Sequence, residues 1–162
     1  PLDPIRAGTA ATLIAKRLAE LDGTHGTDYL KNAEAMNVRM KEKVKVWTSR
    51  IEKSGVKKVI TYHKTLTYFL DRFKIETPAI LEPKPGIPPT SGHIIDVIGL
   101  IRKKKIPLIL VENYFDATVT NKIKQEAPSV RAVTVPVAVD GGPGMSKLDD
   151  VYENLVKSIE GK

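Results

Sequence analysis

An α/β fold is predicted, with a four-stranded parallel sheet flanked by helices and preceded by two long helices. Three observations carry this expectation. Apolar residues recur every three or four positions through the first 55 residues, and from Val56 short apolar runs alternate with amphipathic stretches. Loops rich in proline or glycine separate these segments. Strand–helix–strand alternation builds parallel sheets with right-handed crossovers, because a parallel neighbour can be reached only by crossing over one face of the sheet.

The elements follow in order. Asp3-Pro4 opens the first helix, with an N-cap carboxylate and a proline whose missing N–H is harmless in the first turn. Ala10, Leu13, Ile14, Leu18 and Leu21 follow helical spacing to the stop at Asp22-Gly23, so this face is expected to be buried. After Thr24-His25-Gly26, residues Tyr29, Ala33, Met36, Met40, Val44, Trp47 and Ile51 mark a second, longer helix ending at Ser54-Gly55. Strands are expected at Val56–Tyr62, Ala79–Leu81, Pro107–Val111 and Val130–Val137, with helices near Thr65–Phe73, Ser91–Lys104 and Ala117–Gln125 between them. Glu82-Pro83-Lys84-Pro85-Gly86-Ile87-Pro88-Pro89 is a stiff loop, since proline fixes φ and removes donors. Asp140-Gly141-Gly142-Pro143-Gly144 is another, before a closing helix built on Leu148, Val151, Tyr152, Leu155 and Ile159.

A chain of 162 residues, 41% hydrophobic and 28% charged, suffices for one good core and gives no reason to expect a second. The three segments are the helix of residues 1–22, the helix of 23–55 and the α/β unit of 56–162. The net charge of +7 invites a basic polyanion- or nucleic-acid-binding reading. The lysines are spread over helical faces, however, and Lys103-Lys104-Lys105 suits a helix C-terminus, so no nucleic acid is expected. The absence of cysteine excludes disulfides, thiolate metal sites and Cys nucleophiles. No apolar run approaches the roughly 20 residues of a membrane span. The sequence opens on Pro1 without Met, which suggests processing or an excised piece.

In a parallel sheet the C-terminal ends of the strands share one rim, where ligands bind. Four polar residues are predicted there: His63, Glu82, Glu112 and Asp140, one after each strand. An imidazole among carboxylates suits a divalent cation such as Zn²⁺ or Mn²⁺. On spacing alone each also has a structural reading: His63 as a hydrogen-bonded strand-end residue, Glu112 as a helix cap, Asp140 as an Asx-turn into its glycines. A hydrolase using His63 as base with Asp140 or Glu112 lacks any nucleophile or nucleotide motif. His25 and His93 are expected to face solvent.

The segments LDPIRAG, LAELDGTHGTDYLKNAEAM, VITYHKTLTYFLDRF, LEPKPGIPPTSGHI, IPLILVENYFDATV and VPVAVDGGPG resemble the C-terminal half of zinc/manganese-type ABC transporter solute-binding proteins. In that family two α/β lobes, joined by a long helix, hold a transition metal between them and deliver it to a membrane permease without catalysis. The resemblance implies that the protein is periplasmic or otherwise extracytoplasmic, with a lipid anchor as one option. It implies His63 as a metal ligand, Asp140 as the carboxylate ligand from the last loop, with Asp149 and Asp150 as nearby alternatives, and Glu112 as an acid that orients the site. The family's two other His ligands fall in an N-terminal lobe and just before the LDP segment. Residues 1–22 are then the interlobe connector, the N-terminal lobe is missing, and the fragment holds Zn²⁺ or Mn²⁺ weakly or not at all. Apolar faces around Leu13, Ile14 and Leu18 would be bare and open to homodimerisation.

Overall fold

A computed structural model describes residues 2–162; Pro1, where the first segment was expected to begin, lies outside the described residues. Helix α1 (Pro4–Leu21) starts as its sequence dictates. The Asp3 carboxylate accepts from the N–H groups of Ile5 and Arg6 at 2.8 and 3.2 Å. The same carboxylate receives Arg72 Nη2 at 2.9 Å, which ties the start of the chain to the α/β unit. Burial works to raise the Asp3 carboxyl, but Arg72 and the two backbone donors outweigh it and hold the carboxyl below its ordinary value.

Helix α2 (Gly26–Ser54) returns along α1 after a single 3₁₀ turn at Gly23–His25 and ends on Gly55 in the left-handed conformation. The face that α1 buries is not the expected one. Pro4, Ala7, Gly8 and Ala15 are buried, whereas Leu13 and Ile14 are 64% and 60% exposed and Leu18 and Leu21 are exposed as well. The reason is a close seam of small residues. A Cβ on Gly8 would come within 2.3 Å of Asn37 Oδ1, and Asn37 is itself fixed by bonds to Thr12 Oγ1 (2.8 Å) and the Ala33 carbonyl (3.0 Å). Helices this close leave no room for leucine between them, so the leucines turn outward.

The sheet has three strands, not four: β1 (Ile60–Thr61), β2 (Leu108–Glu112) and β3 (Arg131–Val135), all parallel, in that order. The predicted strand Ala79–Leu81 lies along the outer edge of β1 but forms only one bridge, Thr61 to Ile80. Pro78 removes a donor from its entry, and the chain turns into the proline-rich loop directly after two bonds, Leu81 N–H to Thr61 O and Glu82 N–H to Tyr62 O at 3.0 and 2.8 Å. Ladder pairing of the predicted first strand is likewise confined to two residues, since the chain bends at Tyr62-His63.

Every residue of β2 is buried, as expected for a central strand covered on both faces. Leu108 and Leu110 pack into one core with Trp47, Phe69 and Tyr152, beneath α2, α3 (Thr67–Arg72) and α6 (Leu148–Glu160). Ile109 and Val111 pack into the other with Val97, Ile101 and Ile123, beneath α4 (Ser91–Lys104) and α5 (Thr118–Glu126). Helix α2 is also bonded to α6 through polar groups. Arg50 spans Glu153 (2.8 Å) and Glu160 (2.6 Å), and Trp47 Nε1 donates to Glu153 at 2.7 Å.

Candidate metal centre

His63 follows β1 in extended conformation (φ −128°, ψ −175°) and is half-buried. Its Nδ1 accepts the Lys64 N–H at 2.5 Å, so a neutral ring carries its proton on Nε2. This has a chemical consequence. A cation binding at Nε2 would require the proton on Nδ1, and one binding at Nδ1 would displace Lys64 directly. Either nitrogen can ligate only after the Lys64 bond is released.

A cavity of about 300 Å³ adjoins the ring, lined by Tyr62, His63, Glu82, Pro85, Gly86, Pro88 and Phe115. Phe115 reaches it because the turn after β2 folds back: its ring stacks on Tyr62 at 4.2 Å and lies 6.3 Å from His63. The surroundings are acidic. Burial first, then the charges of Glu82, Asp116 and Glu112, push the Tyr62 phenol upward.

Glu112 ends β2 with no exposed surface, and neither carboxylate oxygen has a hydrogen-bond partner among the described residues. It does not cap the next helix, whose N-cap is Ala117; Asp116, one residue earlier, accepts the Thr118 N–H at 2.6 Å. A buried carboxylate without partners is costly. Glu112→Leu, which keeps the bulk and removes the orphaned oxygens, is therefore expected to raise the unfolding free energy by about 1–3 kcal/mol. Urea denaturation measures this, and a destabilised variant would mean that the carboxylate is satisfied in solution.

Asp140 is exposed in the loop after β3, at φ 59°, where its own N–H donates to Met145 O at 2.7 Å. No side-chain bond of the Asx-turn type is found for it among the described residues. Asp149 and Asp150 are engaged elsewhere: Asp149 pairs with Arg39 and Lys43 at 3.0 and 3.5 Å, and Asp150 accepts from Lys147 N–H at the start of α6. His25 faces solvent beside Asp22. His93 does not; its Nε2 lies 2.8 Å from the Ile80 carbonyl, securing the edge segment. Among the described residues, no group of three His, Asp or Glu side chains is gathered closely enough to hold a metal ion. The acid that shares the cavity with His63 is Glu82, a rim position whose burial the sequence pattern did not reveal.

No helix among the described residues is long and apolar enough to cross a membrane. Among curated proteins, the high-affinity zinc uptake system protein ZnuA of Brucella abortus is 22% identical over 159 residues, and the protein of that name from Brucella suis matches equally. The match covers 98% of this chain but 48% of theirs, so the chain spans about half the length of the curated relatives it matches. Among solved structures, AdcAII of Streptococcus pneumoniae is 25% identical with a TM-score of 0.80, covering 98% of this chain and 60% of that one. A Zn(II)-bound mutant variant of AdcAII is 26% identical, with a TM-score of 0.79 and coverages of 98% and 58%. The laminin-binding protein Lmb of Streptococcus agalactiae, at 20% identity, covers 98% of this chain and 62% of that one and shares the fold, with a TM-score of 0.84. The family model described as "Zinc-uptake complex component A periplasmic" matches residues 2–160, and the chain belongs to that family, ZnuA.

Proposed function

We propose that these residues form the C-terminal lobe of a two-lobed solute-binding protein that captures Zn²⁺ or Mn²⁺ outside the cytoplasmic membrane, free in the periplasm or lipid-anchored, and hands it to an ABC transporter permease. Residues 1–22 are its interlobe connector, 23–55 the second helix and 56–162 the α/β unit. His63 is the principal ligand of this lobe, Asp140 reaches the metal from the loop after β3, and Glu112 orients the site. The protein binds and releases a cargo ion and catalyses nothing.

The observation that carries this reading is His63 itself: an imidazole at a strand exit, half-buried over an acidic, aromatic-walled cavity. The Zn(II)-bound AdcAII variant and the zinc-uptake relatives support the choice of cargo, and imidazole with carboxylate suits either ion. Structural zinc sites use four protein ligands and open ones three, more than one lobe supplies here, so binding by this chain alone is weak. The exposed row Leu13, Ile14 and Leu18 is the surface that the N-terminal lobe, or in its absence a second copy, would cover.

Titration with Zn²⁺ is expected to shift the His63 ring and Lys64 amide resonances together, because the Lys64 bond must be released. His63→Ala should abolish the calorimetric response. A tight site in this chain alone, or a zinc response indifferent to His63, would overturn the proposal.

A further inference from the structure

Resting on the metal-binding reading above, we infer that Glu82 is a cation ligand of this lobe, held ready by the proline-rich loop. Three placements point to it. Glu82 N–H donates to Tyr62 O at 2.8 Å, which pins its backbone next to the residue preceding His63. Its side chain lines the same cavity as the imidazole. It is 5% exposed, yet pairs with no Lys, Arg or His among the described residues.

The carboxylate receives one hydrogen bond, from the Gly86 N–H to Oε1 at 2.5 Å; Oε2 has no partner among the described residues. One neutral donor does not neutralise the carboxylate, and Oε2, which is not among the fully buried unpartnered atoms, stays open to an ion entering the cavity. The loop explains how the side chain is aimed. Proline at 83, 85, 88 and 89 leaves N–H groups only on Lys84, Gly86 and Ile87, and Ile87 spends its own on Lys84 O. Gly86, at φ 74°, takes the left-handed conformation, which glycine adopts without strain, and directs its N–H inward. The donor fixes Oε1 and leaves Oε2 for the ion, the arrangement by which outer-shell bonds orient a ligating carboxylate.

A carboxylate oxygen is a harder donor than imidazole, so Glu82 favours Mn²⁺ relative to Zn²⁺. Glu82→Gln keeps an acceptor for Gly86 and removes the charge. In competition titrations of the 162-residue chain it is expected to weaken Zn²⁺ binding roughly tenfold and Mn²⁺ binding more. Mn²⁺ should also broaden the Gly86 amide resonance in the native chain and much less in the variant. If His63→Ala abolishes binding while Glu82→Gln leaves both affinities and the Mn²⁺-to-Zn²⁺ ratio unchanged, the role of Glu82 is refuted and the metal reading stands. Binding that is insensitive to both changes refutes the metal reading, and with it the role of Glu82.

Discussion

Trp47→Ala is expected to cost about 3–5 kcal/mol, the range for removing a fully buried large aromatic. The indole is 1% exposed, meets Tyr152 edge-on at 5.7 Å and donates to Glu153, so truncation leaves a cavity between α2 and α6 and removes a charge-assisted hydrogen bond. Against a typical total of about 5–15 kcal/mol this is a large share. A chain of this size should lose on the order of 10 °C in Tm, at about 2–4 °C per kcal/mol. Urea denaturation followed by circular dichroism gives the free energy. A loss below about 1 kcal/mol would show that α2 does not unfold cooperatively with the sheet.

Arg50→Met should combine a stability loss with a changed acid response. Arg50 bonds both Glu160 oxygens and both Glu153 oxygens, so its removal leaves two carboxylates without their cation. The pair is partly solvated, and the expected cost at neutral pH is about 1.5–3 kcal/mol. Hydrogen bonds from Arg50 first, and then from Lys162, outweigh burial and lower the Glu160 carboxyl from an ordinary 4.5 to about 2. A carboxyl lowered on folding stabilises the protein fully above its unfolded value, and that stabilisation is lost as pH falls from about 4.5 towards 2. The native protein should therefore weaken steeply through that window, and Arg50→Met should weaken less there, having already lost the interaction. Equal slopes for the two proteins would show that other groups govern acid unfolding.

How much of this was legible depended on how local the cause was. The start of α1 could be read from Asp3-Pro4, because capping involves neighbours a few residues apart. The bounds of α4 followed from the Thr90 cap and apolar spacing, and α5 begins at Thr118, one residue after its expected start. Periodicity marked the apolar side of α1 as buried, whereas the resemblance marked Leu13, Ile14 and Leu18 as bare, and they are exposed; periodicity reports which side is greasy, not how close the neighbouring helix comes, and Gly8 against Asn37 decides that across 29 positions of sequence. The fourth strand was lost to Pro78 and to the early turn at Glu82, features whose effect depends on the neighbouring edge.

Of the four polar residues expected at one rim, His63 and Glu82 line a shared cavity, and among the described residues no three His, Asp or Glu side chains are gathered closely enough to hold a metal ion. The separate environments of the four were not legible in the sequence. Glu82 was anticipated at the rim, but its place in the cavity beside His63 depends on a loop folding back through Gly86. Glu112 read as a helix cap or an orienting acid, whereas it is fully buried with both oxygens unpartnered among the described residues. Asp149 and Asp150 were nearby alternatives to Asp140 in the sequence; their partners on α2 and at the start of α6 depend on packing that the sequence does not display.

The seam that turns the leucines of α1 outward also makes that helix a beam fixed at three points. Asp3 is tied to Arg72 at one end, Gly8 abuts Asn37 further along, and Asp22 receives the Tyr29 hydroxyl at 2.8 Å at the other end. A body seated on Leu13, Ile14 and Leu18 would be carried with this unit as cargo on a rail. The Asp3 end of the beam is held by Arg72, which closes α3 nine residues along the chain from His63.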